Sequence, residues 1–418
     1  MTRLIFNEWL GIEPVLEVGN QGNWSISCEK HSATFPNIFF PEQSPETYFD
    51  PSRLKGQLLS HKICDYDMFF PFADNRGTSL ASVDIFGSIF YFLACYEDVF
   101  YDHKEFNGTL APSESFAYQN SLLDRPFIDE MIVQFVKHLN NHNINISFKN
   151  QDYQLIYSCD MDVPAQWYKA SPFLFIKSSI ASIIKHHSIR RFFSIFRSYT
   201  KVDDDIFYTF PWILTELEKN SLAGCFNLKG GLTNKRFDHY YDANAQWIQD
   251  ILFLLAANGH EIGFHPSYDT PDHPDSFAKE LAIVRRAAPT PVRGGRQHYL
   301  RFMGCSTWRM WDDAGLEYDS TVGFNKVSGF RLGTAREFPV YDLQHRKALK
   351  LRERPLIAMD CTLLGYEGAT PQEAFDRACG YAQQIRKYGG NMTLLWHNSS
   401  LETPEKRELF SQLLKYLA

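Results

Sequence analysis

Gly259-His260-Glu261-Ile262-Gly263-Phe264-His265-Pro266-Ser267-Tyr268-Asp269 is the stretch whose reading decides the fold. Just upstream, Ile248, Ile251, Leu252, Leu254 and Leu255 recur at helical spacing. Gly259 suits a left-handed cap closing that helix. The short apolar run 261–264 then reads as a buried strand of an α/β unit, and it ends in His265, four residues before Asp269. An imidazole and a carboxylate at the C-terminal end of such a strand stand where barrel enzymes keep their chemistry. A His-x-x-x-Asp pair by itself is weak support for a metal site.

Working outward, the alternation of strand and helix persists from 151 to the end of the chain. Strand 155–158 leads to Asp160 and Asp162, and helix 210–220 leads to strand 225–228. Helix 275–288 precedes strand 291–293 and the polar end Arg296-Gln297-His298-Tyr299. Helix 306–314 precedes a strand end at 318–324, and helix 371–387, closed by Gly389-Gly390, precedes strand 392–396 and His397. This is the signature of a sheet or barrel with helices outside it. Asp, His, Arg and Tyr fall repeatedly just after the apolar runs, which a random scatter of polar residues would not do.

The 418 residues are enough for two or three domains. With 44% hydrophobic and 22% charged residues the composition is that of a folded protein. Aromatics at 15% suggest full cores and a stacking surface for sugar rings. A net charge of −7 and a pI near 6.1 exclude a general nucleic-acid binder. The first ten residues lack the basic and apolar regions of a secretory signal, and no run approaches the length of a membrane span. The eight cysteines show no metal-type pairs and read as reduced, buried thiols, so the expected compartment is the cytoplasm.

Residues 1–150 read as a separate, smaller α+β domain, with the apolar run 82–96 as a buried helix capped by Ser82. The Asn-rich stretch 140–150 reads as the boundary before a second domain at 151–418. An insertion at about 165–205 breaks the alternation. Within it, 173–196 is apolar with Lys177, Lys185, Arg190 and Arg191 interspersed. It fits either an added helix packed on the barrel or the first domain, or a basic amphipathic helix in peripheral contact with an anionic membrane.

Four motifs in order resemble the NodB-type polysaccharide deacetylases, the carbohydrate esterase family 4-like enzymes. They are Asp160-Met161-Asp162, the stretch 259–269, Arg296-Gln297-His298-Tyr299 and Leu395-Trp396-His397. The resemblance spans about 155–418 and implies a distorted (β/α)7 barrel preceded by the smaller α+β domain. More narrowly, Leu123-Asp124-Arg125-Pro126, the phrase YEDVFYDHKEFNG at 96–108, the run 296–302 and Gly329-Phe330-Arg331-Leu332-Gly333-Thr334 resemble a subgroup tied to bacterial surface-polysaccharide biosynthesis. That subgroup has an extra N-terminal domain of unknown role.

The resemblance implies a hydrolase that removes an N-acetyl group, or less readily an O-acetyl group, from a nucleotide- or lipid-linked sugar or glycan precursor. It implies one divalent ion, zinc by preference, with cobalt, manganese and nickel as the other candidates. Asp162, His265 and Asp269 would hold the ion, Asp160 would be the general base and His397 the general acid. Arg296 would orient Asp160, and Asp360 would orient His397. His298, Tyr299 and Arg331 are the expected substrate contacts. The family has a second metal histidine where this chain has Asp269, so the third ligand is either Asp269 or His298, which stands where the family has proline. The competing reading, from another class, is a catalytically silent barrel that binds saccharide or scaffolds a biosynthetic complex.

Overall fold

The computed structural model describes residues 1–17, 22–39, 61–63, 68–70, 80–100, 105, 107–149, 151–171, 173, 175–177, 179–180 and 189–418. Its strands in chain order begin with β1 Asn23–Cys28, β2 His31–Pro36, β3 His61–Ile63, β4 Met68–Phe70 and β5 Tyr153–Asp160. They continue with β6 Gly224–Leu228, β7 Glu261–Phe264, β8 Gly294–Gly295 and β9 Tyr318–Asp319. The last are β10 Phe338–Asp342, β11 Lys347–Glu353, β12 Ala358–Met359 and β13 Gly390–Leu395. The fold is mixed α/β, and the described residues divide into two compact units. One comprises Met1–Gln154, Leu300–Ile357 and Gly380–Met392; the other comprises Leu155–Tyr299, Ala358–Cys379 and Thr393–Ala418.

Nine strands belong to the main sheet. Six of them, in the order β8-β7-β6-β5-β13-β12, send their C-terminal ends into the second unit. The pairs β5 with β6, β6 with β7, β7 with β8 and β12 with β13 are parallel. Strands covered on both faces read as continuous apolar runs rather than alternations. Residues 157–160 of β5 and all of β6 and β13 are accordingly buried. Helices Phe210–Lys219, Gln246–Ala257 and Pro274–Ala287 alternate with β6, β7 and β8. Their apolar stripes, such as Ile248, Ile251, Leu252 and Leu255, face inward.

Gly295 is required where β8 joins the sheet, because a Cβ there would lie 1.9 Å from the Phe264 carbonyl oxygen. Parallel pairing puts the ends of β5, β6, β7 and β8 on one side of the sheet, where Asp160, Asp162, His265, Arg296 and His298 lie at or just past the strand ends.

The first unit contains the hairpins β1–β2 and β3–β4, the antiparallel pair β10–β11, and β9 parallel to β11. Helix Ile85–Leu93 is buried all round, as its apolar sequence demands. Its cap is Asp84 rather than the expected Ser82. The Asp84 carboxylate accepts the backbone N–H groups of Gly87, Ile38 and Phe39, so one buried side chain satisfies the helix start and the segment beside it. Phe6, Phe35, Phe86 and Phe135 meet with ring centroids 5.3 to 6.3 Å apart. Such pairs add about 0.5–1.5 kcal/mol each beyond their burial.

Candidate active site and metal centre

Asp160 is the last residue of β5 and is 2% exposed. Its Oδ1 accepts from Asn227 Nδ2 at 2.6 Å and from Arg296 Nη1 at 3.1 Å, and its Oδ2 lies 3.8 Å from His265 Nδ1. Burial raises the Asp160 carboxyl, but His265, Arg296 and His397 outweigh it, and the group stays below its ordinary pKa. Asn227 reaches Asp160 because β5 and β6 pair these two residues directly. It fits because Gly263, across β7, has no side chain: a Cβ there would lie 2.0 Å from Asn227 Oδ1.

Two residues on, Asp162 Oδ1 faces two imidazole nitrogens at once, His265 Nε2 at 3.1 Å and His298 Nε2 at 3.2 Å. The other ring nitrogen of each histidine is already committed. His265 Nδ1–H donates to the Arg296 carbonyl at 2.6 Å, and His298 Nδ1–H donates to Asp238 Oδ1 at 2.7 Å. The carbonyl partner leaves His265 Nε2 a bare lone pair toward a carboxylate oxygen. Burial lowers the His298 pKa, but the Asp162 and Asp238 carboxylates on either side outweigh burial and raise it, favouring a second ring proton there until a cation takes its place. Acceptors facing acceptors leave Asp162 Oδ1 and His265 Nε2 buried without a hydrogen-bond partner. A cation resolves that conflict. Ligand distances of about 2.0–2.2 Å put neighbouring donor atoms on the order of 3.0–3.5 Å apart, the spacing found here. The two-histidine, one-carboxylate donor set therefore fits a divalent ion. Without an ion, burial raises Asp162 but the His298 and His265 imidazoles hold its carboxyl well below the usual range.

His397 follows β13 and brings a second donor. Its Nδ1 lies 2.7 Å from Asp360 Oδ1, and its backbone N–H donates to Asp360 Oδ2 at 3.0 Å. Nε2 points to Asp162 Oδ2 at 3.5 Å. Burial lowers the His397 pKa, yet Asp360, followed by Cys361, raises it well above the ordinary histidine value. Asp360, Cys361 and His397 also form a group of metal-type residues. There the imidazole and carboxylate already satisfy each other, and this cluster reads as an oriented acid.

Asp238 is the hub that holds His298. It also accepts the backbone N–H groups of Tyr268, Thr233 and Asn234, and it is depressed to about 2, with burial opposed chiefly by the His298 hydrogen bond. Lys229, just past β6, is 2% exposed; its Nζ lies 4.0 Å from Asp238 Oδ1 and makes no hydrogen bond. Beside His298, the rings of Phe237, Tyr268 and Tyr299 meet. Phe237 and Tyr268 stack at 4.1 Å, and Tyr299 stands edge-on to both at 5.4 Å. Tyr299 and Leu300 both have left-handed backbones, φ 59° and 52°. Consecutive non-glycine residues in that region are a strained feature of the kind found at functional sites.

Among known proteins, a family of unknown function (DUF7033) matches residues 1–144 of the 418. No curated protein matches the chain. A solved structure from Mycobacterium smegmatis assigned as a polysaccharide deacetylase is 16% identical, covering 64% of this chain and 85% of its own, with a TM-score of 0.41. A polysaccharide deacetylase from Bacillus cereus is 12% identical, covering 64% and 87%, with a TM-score of 0.32. Likenesses this distant carry no argument. The chemistry rests on the chain's own geometry.

The structure brings together Asp160, Asp162, His265, Arg296, His298, Asp360 and His397, with Tyr299 adjoining His298. Two expected residues stand elsewhere. Asp269 accepts from Asn234 Nδ2 at 3.3 and 3.5 Å and is not among the described residues grouped as metal ligands. Its carboxylate serves the 233–238 loop instead. Arg331 belongs to the first unit, where it is buried, pairs with Asp98, donates to the Gly323 carbonyl at 2.7 Å and stacks on Phe324. A guanidinium so fully satisfied has little left to offer a substrate. Asn227 and Asp238 were missed from sequence. Asn227 left a trace, a polar residue within a buried strand, whereas Asp238 lies in a loop without periodicity.

Proposed function

We propose that this protein is a metal-dependent deacetylase that hydrolyses the N-acetyl group, less readily an O-acetyl group, of a sugar or glycan precursor. The observation that carries the reading is the pair of imidazole Nε2 atoms, of His265 and His298, converging on Asp162 Oδ1 beside an ionised Asp160 and an oriented His397. Asp162, His265 and His298 would hold the ion. When bound, the ion supplies Lewis acidity toward the scissile carbonyl and the attacking water.

The protein's own groups then divide the proton work. Asp160, kept anionic by Arg296 and turned by Asn227, accepts a proton from water as its oxygen adds to the acetyl carbon. His397, kept protonated by Asp360, donates its Nε2 proton to the leaving nitrogen as the C–N bond breaks, giving acetate and a free amine. The backbone N–H of Tyr299 would help hold the developing oxyanion. The partly exposed rings of Phe237 and Tyr299 would offer a sugar ring an apolar face. The sheet is read as the distorted (β/α)7 barrel of this chemistry, with residues 1–150 as the accessory domain of a surface-polysaccharide subgroup. The substrate would be a nucleotide- or lipid-linked precursor met in the cytoplasm.

The test is elemental analysis of the purified protein beside Asp162→Ala, His298→Ala and Asp269→Ala, followed by acetate release from N-acetylated saccharides. About one equivalent of metal, lost in the first two variants and kept in the third, is the expected result. Metal lost from Asp269→Ala and kept by His298→Ala would overturn the ligand assignment. A protein that takes up no metal and still binds saccharide would be the silent alternative.

A further inference from the structure

An oriented acid needs an imidazole and a carboxylate, and Asp360 and His397 supply them. The structure adds a thiol that this task does not require. Cys361 Sγ lies 3.8 Å from His397 Nδ1, the same nitrogen that meets Asp360 Oδ1 at 2.7 Å. One ligand atom from each of Asp360, Cys361 and His397 lies within 4.8 Å of the other two. All three residues belong to the second unit. There Cys159, Cys225 and Cys379 are the buried thiols that the sequence suggests, whereas Cys361 is exposed.

Backbone pairing builds the cluster. Strands β12 and β13 run parallel with Met359 opposite Leu395, so the residues just past their ends, Asp360 and His397, come side by side. The His397 backbone N–H holds Asp360 Oδ2 at 3.0 Å and leaves Oδ1 on the ring. Cys361 opens the helical turn Cys361–Tyr366, which keeps its thiol next to the carboxylate that precedes it. Thiolate, imidazole and carboxylate are a zinc-type donor set. With bonds of about 2.3 Å to sulfur and about 2.0–2.2 Å to nitrogen and oxygen, neighbouring donors of a tetrahedral ion stand roughly 3.3–3.6 Å apart. The Sγ–Nδ1 separation is within a few tenths of an ångström of that. The Oδ1–Nδ1 pair has only to open by about half an ångström as an ion replaces the proton between them.

We propose that Asp360, Cys361 and His397 form a second metal site, filled by zinc or another thiophilic divalent ion when it is in excess, and that filling it switches the acid off. Binding releases two protons, from the Cys361 thiol and from His397 Nδ1. The ring that remains is a neutral, metal-bound imidazole, a far weaker acid than the imidazolium, so the leaving nitrogen is no longer protonated. Asp162 Oδ2 lies 3.5 Å from His397 Nε2, which places the two ions close enough to repel and makes the second the weaker. The site itself stands on its own three donors; its inhibitory effect rests on the deacetylase reading.

The test is titration of the metal-free, full-length protein with zinc and, in parallel, with cobalt(II). A second equivalent should bind at least about tenfold more weakly than the first. A near-ultraviolet thiolate-to-cobalt band should rise with that second equivalent, and acetate release should fall with it. Cys361→Ser should lose the band and weaken the second equivalent about tenfold or more. Asp162→Ala should keep the band. In the parent, excess zinc should slow alkylation of Cys361, followed peptide by peptide, a readout that needs no variant to fold. A single equivalent without the band, two equivalents still held by Cys361→Ser, or alkylation of Cys361 at the same rate in excess zinc would each overturn the site. Undiminished acetate release with the band fully developed would overturn its inhibitory role. The band in a protein that releases acetate from no substrate would support the second site and count against the deacetylase reading alone.

Discussion

Replacing Asp238 with Asn tests the metal centre without touching a ligand. Asp238 Oδ1 receives His298 Nδ1–H at 2.7 Å, and this one bond holds the imidazole with Nε2 toward Asp162. An asparagine in its place could keep one oxygen for the Thr233 and Asn234 amides but would turn an NH2 toward the ring or lose the charge that favours Nδ1–H. Removing such a carboxylate partner typically lowers metal affinity by 10–100-fold, which is about 1.4–2.7 kcal/mol. The same substitution at Asp269, whose carboxylate meets the Asn234 amide at 3.3 and 3.5 Å, should change affinity less than about threefold. Competition for zinc against a chromogenic chelator, with melting temperatures measured alongside, separates the two. Parent-like affinity in Asp238→Asn together with a large loss in Asp269→Asn would refute the assignment of His298 as a ligand and the geometry argued for it.

Gly263→Ala should leave metal content near the parent's but lower turnover, because the new Cβ collides with Asn227 Oδ1 and displaces the amide that turns Asp160. Overpacking of this kind costs about 1–3 kcal/mol, readable by urea unfolding. Arg331→Ala should destabilise the protein by about 3–5 kcal/mol through the buried Asp98 it strands, while acetate release per folded molecule stays unchanged; a selective rise in KM would restore Arg331 as a substrate contact. Glu97, raised to about 7 by burial, keeps a proton in the folded state that the unfolded chain releases near 4.5, so its contribution to stability is present below that value and is lost as pH rises through about 7. Glu97→Gln keeps an oxygen for Tyr91 and Phe116 and should gain on the parent by up to about 3 kcal/mol between pH 5 and 8; a constant difference across that range would refute it.

Strand-end chemistry and the motifs of the resemblance singled out Asp160, Asp162, His265, Arg296 and His397, and they lie near one another because parallel pairing gathers the ends of neighbouring strands wherever those ends lie in sequence. Linear motifs are poorer at choosing among ligands. His265 and Asp269 are neighbours in sequence, and the spacing suggested that they act together. His298 is their equal in space only because β8 pairs with β7, Phe264 opposite Gly295, bringing the turn after β8 alongside the residue that ends β7. That approach depends on a glycine whose Cβ would meet the Phe264 oxygen, a requirement that no count of His and Asp can express. Arg331 shows the opposite case. It entered as a substrate contact through the resemblance carried by Gly329-Phe330-Arg331-Leu332-Gly333-Thr334, and chain order cannot say that Leu300–Ile357 clusters with Met1–Gln154. A substrate role needs a cation with unmet demand, and Asp98, the Gly323 carbonyl and the Phe324 ring have already met that of Arg331. By the same measure, Asp162 Oδ1 and His265 Nε2 lie buried without hydrogen-bond partners, with His298 Nε2 3.2 Å from the same oxygen, and that imbalance is the physical ground for placing the metal there.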